Sequence, residues 1–425
     1  MIVISAEMIG DRAGWEGCLP CRFRSLDEGE TYSAINADSA GNTVSGSIHV
    51  TNGPKHICIA NAGAPEDRIR IIVRWCQVRY NLASAGSGGD WEATGYVRCG
   101  DGWREVPVLV TPVRKELFSR TRGLFENDML ADKSVFVAGL GSVGSVVAVE
   151  LAKLGIMNMV LMDHDRLEVA NVIRHVAGLS DVGRYKVLAV ADAIHEKNPH
   201  AKVETCNRKV AWDTYDLTRQ YVRRSDLTIC AADGREGRLI LNKLCVEEDK
   251  PIIFVGAFSR AYGGQILSVI PHQTPCYQCF LQALPENVLG QEAPDGEQTP
   301  AYSDRPMEAE PGLSNDIAPL GQMVVKLTLQ RLIEGKPTTL QSLDEDLVAS
   351  WYIWLSRREA ETGYSELEPL GFHVNGMHIL RWYGVDLSRD PACQCCGDFV
   401  RHAAEREGFE VTAEDMATFT TSEVR

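Results

Sequence analysis

The chain has 425 residues, a formal net charge of −15 and 44% hydrophobic residues, enough for two or three domains with sizeable cores. The acidic balance argues against nucleic-acid binding by bulk electrostatic attraction and leaves room for a basic protein partner. The start of the chain lacks a basic, apolar leader, no apolar run is long enough to span a membrane, and thirteen cysteines fit a reducing compartment, so a cytoplasmic protein is expected.

Short runs of alternating polar and apolar residues characterise the first 113 residues. The runs at 45–52, 57–60 and 70–80 are separated by stretches rich in glycine and asparagine, such as 84–90. This pattern predicts a small β-rich domain over residues 1–113. Because it shows no catalytic constellation, its expected role is recognition of a partner protein.

A glycine-rich turn opens the second region, which is assigned to residues 114–400. The apolar residues 135–138 predict a buried parallel strand. After it, Gly139, Gly141 and Gly144 allow a tight turn and a close approach of the backbone to phosphate at the start of a helix. Such a loop serves NAD as well as ATP, and it also occurs where a strand and a helix pack closely.

Charged residues after the second predicted strand distinguish between the two nucleotides. Asp163, which ends this strand, can accept hydrogen bonds from ribose hydroxyls, and Asp165 follows two residues later. Arg174 and Lys186 follow, and two cations suit a triphosphate better than the pyrophosphate of a dinucleotide. The sequence therefore predicts ATP, and a nicotinamide-dependent dehydrogenase is the alternative.

Asp233 follows a third apolar strand, and a carboxylate at a strand end facing phosphate can hold Mg²⁺. Its alternative role is to cap the next helix.

Two cysteine pairs lie far apart in the chain. Cys276 and Cys279 form the first, Cys393 and Cys396 the second, with Cys395 between the latter. Two Cys-x-x-Cys pairs predict a closed tetrahedral zinc site that is structural. Reduced, buried thiols are the alternative.

Beyond the helix predicted at 317–332, residues 340–387 alternate aromatic and polar side chains, which predicts strands or a short helix that closes the sheet. Residues 401–425 form a C-terminal tail, with one amphipathic helix predicted at 399–407, that docks a partner or frays.

The order and spacing of these motifs resemble the ThiF/MoeB/E1-like superfamily, the enzymes that adenylate the C-terminal glycine of ubiquitin-like proteins. The resemblance covers roughly residues 116–400 and implies a Rossmann-like α/β adenylation domain that uses ATP, Mg²⁺ and a structural Zn²⁺. It places the phosphates on the segments 171–174 and 183–186. The nucleotide-binding residues it implies are Gly139, Gly141, Gly144, Asp163, Asp165, Asn171, Arg174, Lys186 and Asp233.

The resemblance also implies a homodimer, in which an arginine ahead of the first strand reaches into the partner subunit's active site. Arg122 is the best match and Arg120 is close behind. Arg238 and Asn242 match the family's spacing after Asp233. The residues expected to act in catalysis are Arg122, Arg174, Lys186 and Asp233.

The chain departs from the family pattern at three places. His175 and Gly234 stand where the family usually has glutamine and asparagine, and no cysteine lies between Cys279 and Cys393 to accept the activated protein as a thioester. The acyl group therefore goes directly to another protein, to a hydroxyl such as Thr299 or Ser303, or to a cysteine elsewhere, with Cys395 a candidate if zinc leaves it free.

The predicted function is ATP-dependent adenylation of a ubiquitin-like protein, with an E2-like protein as possible acceptor, by an enzyme closer to a bacterial ubiquitin-like conjugation E1 than to MoeB or ThiF. Activation of a sulfur-carrier protein in cofactor biosynthesis and a catalytically inactive E1-like scaffold are the alternatives.

Overall fold

The computed structural model describes residues 2–5, 17–26, 31–33, 43–51, 69–75, 91–99, 102–111, 117–125, 128–284, 311–359, 376–398 and 402. The chain divides into two compact units, Met1–Arg120 and Thr121–Arg425. None of the helices in these described ranges is both long and apolar enough to cross a membrane.

The described strands of the first unit form a closed barrel. They are β1 (Ile2–Ser5), β2 (Gly17–Leu26), β3 (Thr31–Ser33), β4 (Thr43–Thr51), β5 (Ile69–Trp75), β6 (Trp91–Cys99) and β7 (Gly102–Thr111), in the order β1-β3-β2-β4-β5-β6-β7. β1 pairs in parallel with β7 and closes the barrel, so each of the seven described strands has a neighbour on both sides. Ile2 and Ile4, like Ile69 and Ile71, are fully buried, as expected for alternate residues that point into a barrel.

The second unit contains a mixed sheet of eight described strands. They are β8 (Ser134–Ala138), β9 (Asn158–Met162), β10 (Lys202–Cys206), β11 (Leu227–Cys230), β12 (Ile252–Ala257), β13 (Gly263–Val269), β14 (Trp351–Leu355) and β15 (Arg381–Val385). Their order is β10-β9-β8-β11-β12-β13-β14-β15. The first five strands in this order are parallel, and the remaining three are added antiparallel. The predicted Rossmann-like α/β sheet is thus confirmed.

Helices cover both faces of this sheet, which explains why its central strands are continuous apolar runs. The helices are α1 (Asp128–Ala131), α2 (Gly144–Leu154), α3 (Lys186–His195), α4 (Tyr215–Arg224), α5 (Arg235–Glu247), α6 (Tyr277–Ala283), α7 (Ser314–Ile333) and α8 (Ser342–Asp346). α2, α3 and α7 contribute to one apolar core, and α4, α5 and α6 to the other. α2 ends at Gly155, whose φ of 98° permits the left-handed turn that closes the helix.

The strand order reverses beside β8. After β8 the chain adds β9 and β10 on one side, and it then returns to place β11 and β12 on the other side. In open α/β sheets, ligands bind at such a switch point, outside the carboxyl ends of the strands. The loops that follow β8 and β11 therefore mark the expected ligand site.

Candidate active site

The glycine loop after β8 is shaped by contacts within the protein. Gly139 has a φ of 89°, and a Cβ on it would lie 2.6 Å from the backbone of Ala231 and Ala232. A Cβ on Gly144 would lie 1.9 Å from the carbonyl oxygen of Gly139. A Cβ on Gly141, in contrast, would meet no atom within 4 Å. Gly139 and Gly144 are thus required by packing, whereas Gly141 borders open space.

Asp163 ties this loop to the end of β9. Its carboxylate accepts hydrogen bonds from the backbone N–H of Leu140 (2.6 Å) and of Asp165 (2.8 Å), one at each oxygen. Burial raises the pKa of Asp163, while Lys186 and the two N–H groups oppose that rise. Each oxygen retains acceptor capacity, so the carboxylate can fix the loop and still accept a bond from a ligand hydroxyl.

Lys186, the first residue of α3, is buried and directed at Asp165. Its Nζ lies 2.7 Å from Asp165 Oδ2, and its backbone N–H donates to the carbonyl oxygen of Asp165 (2.9 Å). The aspartate side chain is half exposed, at 49%. The structure therefore brings Asp163, Asp165 and Lys186 together beside the glycine loop.

The segment that carries Asn171 and Arg174 is a short 3-10 helix, Val169–Arg174. The side-chain oxygen of Asn171 accepts the backbone N–H of Glu168 (3.1 Å), so this side chain holds the turn. Arg174 is half-buried beside Gly312, where a Cβ would lie 3.7 Å from Nη1 of Arg174.

His175, at the position where the family usually has glutamine, fastens this segment to the glycine loop. Its Nδ1 accepts the backbone N–H of Ala177 (3.0 Å), which leaves the proton on Nε2 to be donated to the carbonyl oxygen of Leu140 (2.9 Å). Burial, the largest influence, lowers the pKa of His175. A neutral imidazole thus supplies a donor that a glutamine amide could also provide.

Asp233 is exposed just after β11, at the same edge of the sheet as the glycine loop. The N-cap of the following helix α5 is Gly234, and no side chain caps that helix. Arg122 is exposed in the turn that precedes Phe125.

Arg238 and Asn242 on α5 point into the protein. Arg238 donates to the carbonyl oxygens of Ala232 (2.9 Å) and Val255 (2.9 Å), which links the Asp233 loop to β12. The amide oxygen of Asn242 accepts the backbone N–H of Tyr277 (2.8 Å), and its nitrogen lies 3.1 Å from Cys395 Sγ. Both side chains therefore support the site through contacts within the protein.

The four paired cysteines meet behind α5. Cys276 Sγ lies 3.9 Å from Cys279 Sγ and 3.7 Å from Cys393 Sγ, and Cys279 Sγ lies 3.4 Å from Cys396 Sγ. Tetrahedral zinc with Zn–S bonds of about 2.3 Å requires sulfur separations of about 3.8 Å. All four are buried, whereas Cys395 stands outside this group. The four cysteines could therefore hold a metal ion.

Thr299, Ser303, the helix predicted at 399–407 and the tail predicted at 401–425 lie outside the described residues, except for His402. A charged cluster that no sequence pattern indicated lies at the carboxyl edge of the sheet, the edge that carries the glycine loop. It consists of Arg260, Asp316, Arg357 and Glu359, whose side chains form ion pairs with one another. Their positions are scattered along the chain, so spacing offers no signal for them.

Comparison with known proteins gives a family match. A sequence model of the ThiF family matches residues 115–344. Among curated proteins, "Ubiquitin-like modifier-activating enzyme 5" of Caenorhabditis elegans is 32% identical over 162 residues, 36% of this chain and 39% of that protein. Its counterpart in Dictyostelium discoideum is 27% identical over 178 residues, 40% of this chain and 47% of that protein. The chain thus spans less than half the length of these relatives.

Solved structures that resemble the chain include E. coli MccB, at 20% identity and a TM-score of 0.47, covering 64% of this chain and 67% of that chain. E. coli MccB with ATP is 18% identical with a TM-score of 0.45, covering 64% and 68%.

Proposed function

The chain belongs to the ThiF family, whose sequence model covers more than half of it, and from that premise we propose that it adenylates the C-terminal glycine of a ubiquitin-like protein with ATP. The observation that carries the proposal is the group formed by the glycine loop, Asp163 and Lys186 at the switch point of the sheet. The name of the curated relatives, which are ubiquitin-like modifier-activating enzymes, supports this substrate class.

Each described residue of the candidate site has a proposed role toward ATP. Gly141 borders open space at the start of α2, where backbone N–H groups and the helix dipole favour phosphate. Lys186 and Arg174 would supply positive charge, and Asp165 would orient Lys186. Asp163 would accept a ribose hydroxyl. The substrate carboxylate would attack the α-phosphorus, and pyrophosphate would leave as the bond between the α-phosphorus and the bridging oxygen breaks. The site residues would therefore need to neutralise the phosphate charge and hold the reacting groups in place.

Two metal ions would bind in addition to ATP. Asp233, an exposed carboxylate beside this site, would hold Mg²⁺, which neutralises phosphate charge when bound. Cys276, Cys279, Cys393 and Cys396 would hold a structural zinc ion, since their sulfur separations suit tetrahedral coordination. The zinc would connect α6 to the segment after β15.

We further propose a homodimer in which Arg122, or its neighbour Arg120, reaches the active site of the other subunit. The acceptor of the acyl group is either another protein, such as an E2-like protein, or Thr299, Ser303 or Cys395 of this chain. Cys395 stands outside the four-cysteine group beside Asn242, so zinc binding would leave its thiol available. Conjugation as in a bacterial E1 is the favoured pathway.

ATP–pyrophosphate exchange tests this function. Purified protein is assayed with ubiquitin-like proteins that end in glycine, and Asp233→Ala and Lys186→Met are compared with Asp344→Ala, which removes an exposed carboxylate on α8. We expect exchange that requires the partner protein, persists in Asp344→Ala and is lost in Asp233→Ala and Lys186→Met. ATP binding without exchange would indicate an inactive scaffold, and binding of NAD in place of ATP would indicate a dehydrogenase.

The protein products of the same reactions distinguish the acceptors and pathways. A covalent adduct between enzyme and partner that is cleaved by thiols and lost in Cys395→Ser would assign Cys395, whereas an adduct stable to thiols would indicate a hydroxyl. Exchange supported only by a sulfur-carrier protein would replace conjugation with cofactor biosynthesis.

A further inference from the structure

Four charged side chains form a compact ion cluster in the second unit. Arg357 Nε lies 3.0 Å from Asp316 Oδ2, and its Nη1 contacts Glu359 Oε1. Arg260 Nε lies 3.3 Å from the same oxygen of Glu359. Asp316 and Glu359 are 7% and 3% exposed, so both carboxylates are buried with their cations beside them. Two cations and two anions leave the ion cluster without net charge.

The ion cluster lies at the edge of the sheet that carries the glycine loop. β12 runs parallel to β8 and β11, and β14 runs antiparallel to β13, hence parallel to β12. The residues that follow β12 and β14, which include Arg260 and Arg357, therefore leave the sheet at its carboxyl edge. This is the edge at which ligands bind in such sheets.

The loop between β12 and β13 has an unusual backbone. Arg260 and Ala261 are consecutive non-glycine residues in the left-handed region, with φ of 55° and 53°. L-residues rarely adopt this conformation, and it persists where the surroundings enforce it, often at functional sites. Here Nη2 of Arg357 donates to the carbonyl oxygen of Arg260 (2.6 Å). The ion cluster thus holds the left-handed turn in place.

Gly312 lies between this turn and Arg174. A Cβ built on Gly312 would lie 2.8 Å from Ala261 Cβ and 3.7 Å from Arg174 Nη1. Gly312 precedes α7, the helix that contributes Asp316 to the ion cluster. The turn and the start of α7 are therefore both fixed by the ion cluster, and Gly312 lies between the turn and the guanidinium of Arg174.

We propose that the ion cluster of Arg260, Asp316, Arg357 and Glu359 positions Arg174. It fixes the left-handed turn and the start of α7, and Gly312, which lies between the turn and Arg174, limits where the guanidinium can lie as it meets the nucleotide phosphates. The proposal depends on the proposed function in taking ATP as the ligand. Buried ion pairs are often no more stabilising than apolar packing, so fixing a geometry gives a reason for their presence. The neutral ion cluster would orient Arg174 without changing the net charge beside the triphosphate.

Arg357→Lys is the variant that tests this role, because a lysine keeps the charge but cannot make all three contacts of the guanidinium. Arg358→Lys is the matched control, since Arg358 is adjacent, exposed and donates only to the carbonyl oxygen of Met377 among the contacts of the described residues. The dissociation constants of ATP and of adenosine are measured by calorimetry on the full chain, together with the melting temperature. Adenosine, which has no phosphates, reports binding that Arg174 does not influence.

The proposal expects Arg357→Lys to weaken ATP binding on the order of 10- to 100-fold, the range found when residues that orient metal ligands are changed. Adenosine binding should change less than about twofold, and Arg358→Lys should leave both constants unchanged. In an Arg174→Ala background, Arg357→Lys should cause no further loss, since residues that act as a unit are not additive. Glu359→Gln serves if Arg357→Lys does not fold, and the same pattern is expected.

Equal weakening of ATP and adenosine, unchanged ATP binding, or a full additional loss in the Arg174→Ala background would each overturn the positioning role. If the unaltered protein binds no ATP, the proposed function fails as well. If it binds ATP normally and Arg357→Lys does too, only the positioning role is refuted.

Discussion

Replacing Gly144 by alanine should disturb the glycine loop. The added Cβ would lie 1.9 Å from the carbonyl oxygen of Gly139, 3.0 Å from its carbonyl carbon and 3.2 Å from Ala231 Cβ. The first two are backbone atoms, so no side-chain rotation relieves the contact. Either the loop or the start of α2 must move.

Two effects of opposite sign determine the change in stability. Alanine favours the helix over glycine by roughly 0.5–1 kcal/mol. Overpacking typically costs about 1–3 kcal/mol, and contact with backbone places this site at the upper end. We expect a net loss of about 2 kcal/mol, which lowers the melting temperature by roughly 3 °C, because a unit of about 300 residues unfolds with an entropy of about 0.6 kcal/mol/K. A loop displaced by about 1 Å should also reduce turnover about 100-fold.

Gly141→Ala provides the contrast, because its Cβ would meet no protein atom within 4 Å. Its melting temperature should stay close to that of the unaltered protein, while ATP affinity falls if phosphate approaches the backbone there. Thermal unfolding and ATP calorimetry on both variants check these expectations. A Gly144→Ala protein that melts and binds ATP like the unaltered protein would refute the packing argument.

Three further predictions concern residues around the site. Cys393→Ser should reduce bound zinc, measured by plasma mass spectrometry, from about one ion per chain to a small fraction, whereas the exposed Cys99 should tolerate the same change. Because burial lowers the pKa of His175, the unfolded chain binds a proton there at a higher pH than the folded protein does, so stability is lost as the pH falls through the unfolded value of about 6.5. His175→Gln should show a smaller fall in melting temperature between pH 7.5 and 5.5, and an equal fall would contradict this cause. Asn242→Ala removes the acceptor of the Tyr277 N–H and should cost about 1–3 kcal/mol of unfolding free energy with ATP affinity unchanged; weaker ATP binding would show that Asn242 belongs to the nucleotide site.

The sequence by itself determined the α/β class and the central strands. The strand predicted at 135–138 is β8 (Ser134–Ala138), and the helix predicted at 317–332 is α7 (Ser314–Ile333). Buried parallel strands are continuous apolar runs, and glycines at a switch point are required by local backbone geometry, so both leave local signals. The cysteine spacing likewise indicated a four-thiol group, which the structure brings within metal-binding distance.

Only the tertiary structure decided which partners the charged residues take. Spacing indicated Asp163 and Asp165 as nucleotide ligands, but the fold bonds Asp163 to the glycine loop and directs Lys186 at Asp165. Arg357 and Arg260 come from distant parts of the chain and leave no periodic signal. Local backbone preferences fix strands, turns and helix ends, whereas contacts between distant residues depend on how the packed elements meet; the sequence therefore defined the class of site and the fold its geometry.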